Sequence, residues 1–217
     1  SRLNENGKNI IQTHLTAVQN LIIGARESCN IKNFIQLSSS DVYLPSNNKQ
    51  KEDFREKPSS IYSYSKLSID MFLQTLFRSE KYPSVIFRIF LTYGEYQKHD
   101  RLIPYIIKSA LNNKIIKISN PNEIRDFIHV SEVTKIIISS LKLNRSKGLI
   151  INLASGKGIK IINLVTLICN YLNYDKIVIN HNSSNKNKIL IANIDKAKKI
   201  FRWKPKNNLK KDLERTI

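Results

Sequence analysis

Tyr62 and Lys66 stand four residues apart in the run Tyr62-Ser63-Tyr64-Ser65-Lys66. On a helix that spacing puts both side chains on one face. A cation beside a phenol stabilises the phenolate, which makes a tyrosine a usable acid or base near neutral pH. Upstream, the apolar run Asn33-Phe34-Ile35-Gln36-Leu37 ends in Ser38-Ser39-Ser40-Asp41-Val42-Tyr43. A buried strand stopped by hydroxyls would carry its serines just where ligands bind in α/β sheets, beyond the carboxyl ends of the strands. A serine there can hydrogen-bond the oxygen on which the tyrosine acts. The Y-x-x-x-K spacing is weak alone: with 9 tyrosines and 26 lysines in 217 residues, about one is expected by chance. The structural alternative is a helix-start aromatic and a solvated lysine. Its position after a strand and a serine cluster tips the balance toward chemistry.

Those residues need elements to hold them. Residues 8–28 read as a helix, with Ile10, Ile11, Leu15, Val18, Leu21, Ile22 and Ala25 at helical spacing. A strand at 33–38 is followed by a polar loop at 44–60, which contains Pro45 and Pro58, and by a helix at 61–79. A strand at 84–90 ends at the turn Tyr93-Gly94. The remaining pattern is a helix at 102–112, strands at 115–118 and 126–130, a helix at 132–142, a strand at 149–153, a helix at 160–172 and a strand at 176–180. A short helix at 194–201, the turn Trp203-Lys204-Pro205 and an amphipathic tail close the chain. Residues 182–188 are the nearest stretch to low complexity and read as an exposed loop. Strands alternating with helices predict an α/β fold with a largely parallel sheet.

Composition narrows the function classes. At 41% hydrophobic and 24% charged the chain is ordinary for a soluble globular protein. No apolar run approaches the roughly 18 residues that span a membrane. Cys29 and Cys169 make no disulfide framework or metal-type pair, and the four histidines form no H-E-x-x-H, so no metal site is expected and a cytoplasmic setting is. The net charge is +19, with +3 over residues 1–100 and +16 over residues 101–217. An anionic partner is one reading of that asymmetry. Lysine outnumbers arginine 26 to 10 and is scattered singly, without interleaved aromatics, so nucleic acid is the less favoured partner. The chain begins at Ser1 and its one methionine is Met71, which suggests a piece of a longer protein.

Several ordered motifs together resemble the extended short-chain dehydrogenase/reductases, in the NAD-dependent epimerase/dehydratase family acting on nucleotide sugars. They are Ile35 to Tyr43, Pro58-Ser59-Ser60-Ile61-Tyr62-Ser63-Tyr64-Ser65-Lys66, Phe87 to Gly94, Arg125-Asp126-Phe127-Ile128-His129-Val130, Asn152-Leu153-Ala154-Ser155-Gly156 and Trp203-Lys204-Pro205. The resemblance implies a partial Rossmann-like, doubly wound parallel sheet with a smaller C-terminal substrate subdomain. Residues 1–98, joined by about 126–153, would form the cofactor part, and 99–125 with 154–217 the substrate part. It implies Tyr62 as catalytic acid/base, Lys66 tuning it and holding the nicotinamide ribose, Ser39 as the catalytic hydroxyl and Ser38 beside the cofactor. Arg125 would bind the substrate diphosphate, a role suited to a planar guanidinium fork, and Arg101, Leu102 and Lys117 would contact the nucleotide. NAD or NADP, a nucleotide-diphosphate sugar and a homodimer built on helices 8–28 and 61–79 complete the expectation.

The pattern also departs from the family. No G-x-x-G-x-x-G occurs, and the six glycines lie far apart, so the loop that cradles a cofactor diphosphate is not in these 217 residues. His14 and Leu91 stand where the family often has asparagine. Asp41 is the counterpart of a dehydratase acid but equally suits a turn cap, so a 4-epimerase or 4-keto reductase is favoured over a dehydratase. Arg125 has a structural alternative, an ion pair with Asp126, and His129 reads as a core or turn residue. The alternative for the whole chain is a non-catalytic relative that binds anions or RNA.

Overall fold

The computed structural model describes residues 5–28, 30–179, 188–206 and 208–217. Cys29, Asn180 and most of the polar loop at 182–188 lie outside the described residues. The first helical segment runs as α1 (Glu5–Ile11), one π-helical turn (Gln12–Thr16) and α2 (Ala17–Ser28). Then come β1 (Phe34–Ser39), α3 (Ile61–Glu80), β2 (Ser84–Ile89) and β3 (Leu91–Tyr93). These are followed by α4 (Leu102–Leu111), β4 (Ile116–Ile118), β5 (Ile124–His129), α5 (Val130–Ser140) and β6 (Ile150–Leu153). The rest is β7 (Gly158–Lys160), α6 (Ile161–Tyr171), β8 (Ile177–Ile179), β9 (Ile189–Leu190), α7 (Asp195–Phe201) and α8 (Leu209–Thr216).

The alternation of strands and helices produces the α/β fold that the sequence predicts. Strands β1, β2 and β6 form a parallel sheet in the order β1-β2-β6. Strands β2 and β6 are mostly apolar and buried, as expected where both faces are covered, whereas β1 is half polar and exposes Leu37. On one face Ile86 and Ile150 pack with Ile22 of α2 and Ile69 and Leu73 of α3. On the other, Val85, Phe87 and Ile151 pack with Val133 and Ile136 of α5 and Ala197 of α7. A second core joins Tyr93 and Phe127 to α4, α6 and Leu213 of α8. There β5 pairs in parallel with β3 and β9 and antiparallel with β7, while β4 and β8 form a separate parallel pair.

Three features escape the periodicity. The strand expected at 84–90 forms as β2 and ends at Ile89, but a second strand that the pattern does not show, β3 (Leu91–Tyr93), follows at once and pairs with β5 before the turn. Strands β7 and β9 are three and two residues long, too short to show alternation. The first helix carries a π-turn that nothing in its apolar spacing announces.

Helix α3 has well-marked ends. Ser60 Oγ accepts from Ser63 N–H at 3.1 Å and Ser63 Oγ accepts from Ser60 N–H at 3.0 Å, a reciprocal capping box. Lys81 ends it in the left-handed region at φ 55°, and Pro83 follows.

One polar row crosses the central sheet. The register sets Ser38 of β1 opposite Arg88 of β2, and Arg88 opposite Asn152 of β6. Arg88 has no solvent exposure. Its Nε donates to Asp70 Oδ2 at 3.0 Å, Nη1 to Tyr43 Oη at 3.0 Å and Nη2 to Glu56 Oε1 at 2.5 Å. Tyr43 Oη donates to Asn152 Oδ1 at 2.9 Å, and Asn152 Nδ2 donates to Gln50 O at 2.9 Å. The loop at 44–60 is therefore pinned to the sheet at Gln50 and Glu56. Burial alone would lower the Arg88 pKa, but Tyr43 and Asp70 outweigh it and hold the guanidinium charged. Burial likewise pushes Asp70 up, with Arg88 pulling it back, and pushes Tyr43 up to about 12 against the same pull.

Removing one partner of such a pair strands a buried charge. Arg88→Met is expected to lower the unfolding free energy by about 3–5 kcal/mol, measured by urea titration. Adding Asp70→Asn to Arg88→Met should restore part of that loss. An unchanged urea midpoint in Arg88→Met would refute the central role of this row.

Candidate active site

Tyr62 is the second residue of α3, and Lys66 sits one turn on. Tyr62 is 39% exposed, so its ring is open to a ligand. Lys66 Nζ lies 5.9 Å from the centre of the Tyr62 ring and donates to the Leu37 carbonyl of β1 at 3.1 Å. Desolvation lowers the Lys66 pKa, with Asp70 opposing. The lysine thus bridges the tyrosine and the strand end, where the sequence places Ser38 and Ser39.

His14 completes this corner, and motif reading notes it only as a departure. The π-turn Gln12–Thr16 presents it toward α3; inserted π-turns recur at functional sites. His14 Nδ1 and Ser65 Oγ are hydrogen-bonded at 2.7 Å, and Ser65 Oγ also donates to the Tyr62 carbonyl at 2.8 Å. The imidazole meets the Tyr62 ring edge-on at 5.4 Å between centres. Burial lowers the His14 pKa, and the Lys66 charge lowers it further, both favouring the neutral imidazole. The bulge was the missing signal: without it the spacing does not show which face His14 takes.

Ser39 sits at the carboxyl end of β1, and its Oγ accepts the Asp41 amide at 3.1 Å. The turn cap is therefore Ser39, not Asp41. The Asp41 carboxylate is exposed at a 3₁₀ turn (Ser40–Val42), and among the described residues it has no side-chain partner. No hydrogen bond joins Ser39 to Tyr62 among the described contacts. Ser38 is buried beside Asp70, and its Oγ makes no hydrogen bond of good geometry, although it lies near enough to help lower the Asp70 pKa.

The residues expected to meet the nucleotide lie on other elements. Arg101, exposed, is the residue before α4 and makes no side-chain cap. Leu102 opens α4 and packs partly against the second core. Lys117 is exposed on β4, and its N–H donates to Tyr105 Oη at 3.0 Å. Arg125 on β5 pairs with Glu123 at 2.6 Å and donates to the Lys188 carbonyl at 2.8 Å. Its ion-pair partner is thus Glu123, correcting the Asp126 alternative. Strand alternation sends Asp126 the other way, where its carboxylate accepts from Ser155 N–H and Oγ, Gly156 N–H and Ala192 N–H at 2.6–3.2 Å. Burial still pushes Asp126 up to about 6. His129 is buried and caps α5 by accepting the Ser131 amide at 3.2 Å, which agrees with the core or turn reading. A cavity of about 240 Å³ bounded by Tyr93, Phe127, His129 and Asp212 does not include Tyr62, Lys66 or Ser39.

Against known proteins, residues 1–154 match the model of the NAD dependent epimerase/dehydratase family. The chain belongs to this family. It is 27% identical over 219 residues to a UDP-glucuronate 4-epimerase of Thermodesulfobacterium geofontis, covering 95% of the chain and 64% of the relative. It is 26% identical to a dTDP-glucose 4,6-dehydratase of Shigella flexneri, covering 95% and 65%. Among solved structures, it superposes with a TM-score of 0.85 and 28% identity on a UDP-N-acetylglucosamine 4-epimerase from Methanobrevibacter ruminantium in complex with UDP-N-acetylmuramic acid, covering 94% and 67%. The chain thus spans a little under two thirds of the length of these two curated relatives. Within the described residues of this family member, no helix is long and apolar enough to cross a membrane and no residue group is suited to a metal ion.

A histidine held neutral in the fold favours the folded state at and above its ordinary pKa, and that contribution is lost as the pH falls through the lowered value. Titration of His14 by NMR should give a midpoint below 6.5, moving back toward 6.5 in Lys66→Met. A midpoint unaffected by Lys66→Met would refute the coupling.

Proposed function

We propose that this chain carries the catalytic and nucleotide-sugar-binding residues of an NAD(P)-dependent epimerase/dehydratase-type enzyme, with 4-epimerase or 4-keto reductase chemistry. The observation that carries the reading is Lys66, desolvated, over the ring of an exposed Tyr62 and tied to the end of the serine-bearing strand. Family membership and relatives that act on UDP- and dTDP-sugars support it.

The residues present that suit the nicotinamide-ribose end of NAD or NADP are an ammonium and a phenol, Lys66 and Tyr62, next to the strand end; the Ser38 hydroxyl, expected beside the cofactor, is instead buried against Asp70. When bound, the cofactor accepts and returns a hydride at a sugar carbon. Tyr62 takes the proton from the sugar hydroxyl as that carbon is oxidised and returns it on reduction. Lys66 favours the phenolate by its charge, and Ser39 steadies the reacting oxygen by a hydrogen bond. His14, through Ser65, positions Tyr62. Arg125 binds the diphosphate, which requires its guanidinium to exchange Glu123 for phosphate oxygens. Arg101, Leu102 and Lys117 line the nucleotide.

In this reading residues 1–98 with about 126–153 form the cofactor part, and 99–125 with 154–217 the substrate part. The enzyme is a cytoplasmic homodimer that pairs through α2 and α3, where Leu21, Ile23 and Met71 are exposed. Dehydratase chemistry is the second reading. The unpartnered Asp41 carboxylate two residues after Ser39 favours it, as a base for proton abstraction.

The test is turnover of UDP- and dTDP-hexoses by the intact protein with NAD or NADP. Tyr62→Phe should lower kcat by about 10²–10⁴-fold, the range of a positioned acid/base. Unchanged turnover would refute the assignment. Arg125→Ala should raise KM by about tenfold or more with a smaller effect on kcat, as expected when ground-state binding is lost. Asp41→Asn separates the two readings: it should spare epimerisation and abolish dehydration.

A further inference from the structure

The motif Trp203-Lys204-Pro205 has no part in the chemistry above, yet it is firmly held. Trp203 Nε1 donates to Glu132 Oε2 of α5 at 3.1 Å, Pro205 is buried, and the Lys206 amide also bonds Glu132. Burial would raise the Glu132 pKa, but the bonds from Lys135 and Trp203 outweigh it and keep the carboxylate ionised. The turn thereby projects Lys204 and Lys206 on either side of a fixed proline. They form one wall of a cleft of about 490 Å³, whose other cations are Lys49, Lys157 and Lys198. All five lysines are exposed.

The floor is rigid. Gly156 sits at φ 73°, where an added Cβ would meet Ile194 at 2.9 Å. Asp126 clamps the Ser155, Gly156 and Ala192 amides from behind. Asp195 is the one acidic residue in the lining among the described residues, and it is already taken by Lys198 at 3.3 Å and by Asn193 at 3.0 Å. Lys49 donates to the Gly156 carbonyl at 2.8 Å. Among the described residues, Lys157, Lys204 and Lys206 have no side-chain partner. Three uncompensated ammonium groups around a pre-formed concavity repel one another until an anion enters. Among the described residues, no aromatic and no arginine lines the cleft, so they offer nothing for base stacking and read charge density instead.

We propose that this cleft is a binding site for the polyphosphate group of a small molecule, separate from the Arg125 position and independent of the catalytic reading. Its volume suits a small ligand. It also assigns part of the +16 charge of residues 101–217, more than one diphosphate substrate requires.

The test is calorimetric titration of the intact protein with inorganic triphosphate at low ionic strength. Saturable binding should weaken by about tenfold or more in Lys204→Glu/Lys206→Glu. The comparison variant is Lys108→Glu/Lys114→Glu, at a second cavity, which makes the same change in net charge and should leave the affinity within about twofold. Thermal unfolding of both variants checks that each is folded. Equal weakening by the two pairs would mean bulk charge alone and would overturn the site, as would no saturable triphosphate binding. Binding of RNA without binding of triphosphate would overturn it in favour of a nucleic-acid surface.

Discussion

A guanidinium without solvent exposure must be matched on every side or the fold that buries it fails. Arg88 stands in the middle strand of the parallel sheet, and four different segments supply its surroundings: Asp70 from α3, Glu56 and Tyr43 from the loop and turn after β1, and Asn152 from β6 through Tyr43. The apolar contacts of α3 leave its rotation and height adjustable within the usual tolerance of helix packing. The Arg88–Asp70 bond sets both. Lys66 and Tyr62 lie on the same helix as Asp70, about one and two turns before it, so the placement of the candidate site is tied to an ion pair whose carboxylate also acts on the Lys66 charge.

The second constraint is also a buried charge. Among the described residues Asp126 has no cation paired with it, and it relies on amide and hydroxyl donors from two remote segments, 155–156 and 192. The cost shows in its raised pKa. In return, β5, the turn after β6 and the segment after β9 are held in fixed relation. Arg125, one residue earlier on the strand, faces the opposite side and is steadied by Glu123. Two neighbouring residues of one motif thus do different work, the first pairing with Glu123 and the Lys188 carbonyl and the second tying the interior together.

Charge divides this molecule functionally. Buried charges are few, paired or multiply hydrogen-bonded, and they set geometry. The exposed excess is lysine, held on flexible stems, and it concentrates where Trp203 and Pro205 anchor the chain. A lysine-rich composition alone does not select a site. A rigid floor beneath lysines without acidic partners does, because it lets several weak attractions act on one ligand.

The sequence by itself determined the α/β alternation, the extent of the long helices and the family, because these rest on periodicity and on local motifs. It also singled out Ser39, Tyr62, Lys66 and Arg125 by type and order. Tertiary structure alone decided what surrounds them. Arg88 reads as one polar interruption in an apolar strand, and its partners lie 18, 32 and 45 residues away. The partner of Arg125 is Glu123 rather than the adjacent Asp126, because strand pleating turns neighbours to opposite faces. His14, carried on a π-turn, meets Ser65 across 51 residues of chain and the Tyr62 ring beside it. Short strands such as β9 exist through pairing with β5, not through their own pattern. Such contacts join residues far apart in the chain, and no local spacing encodes them.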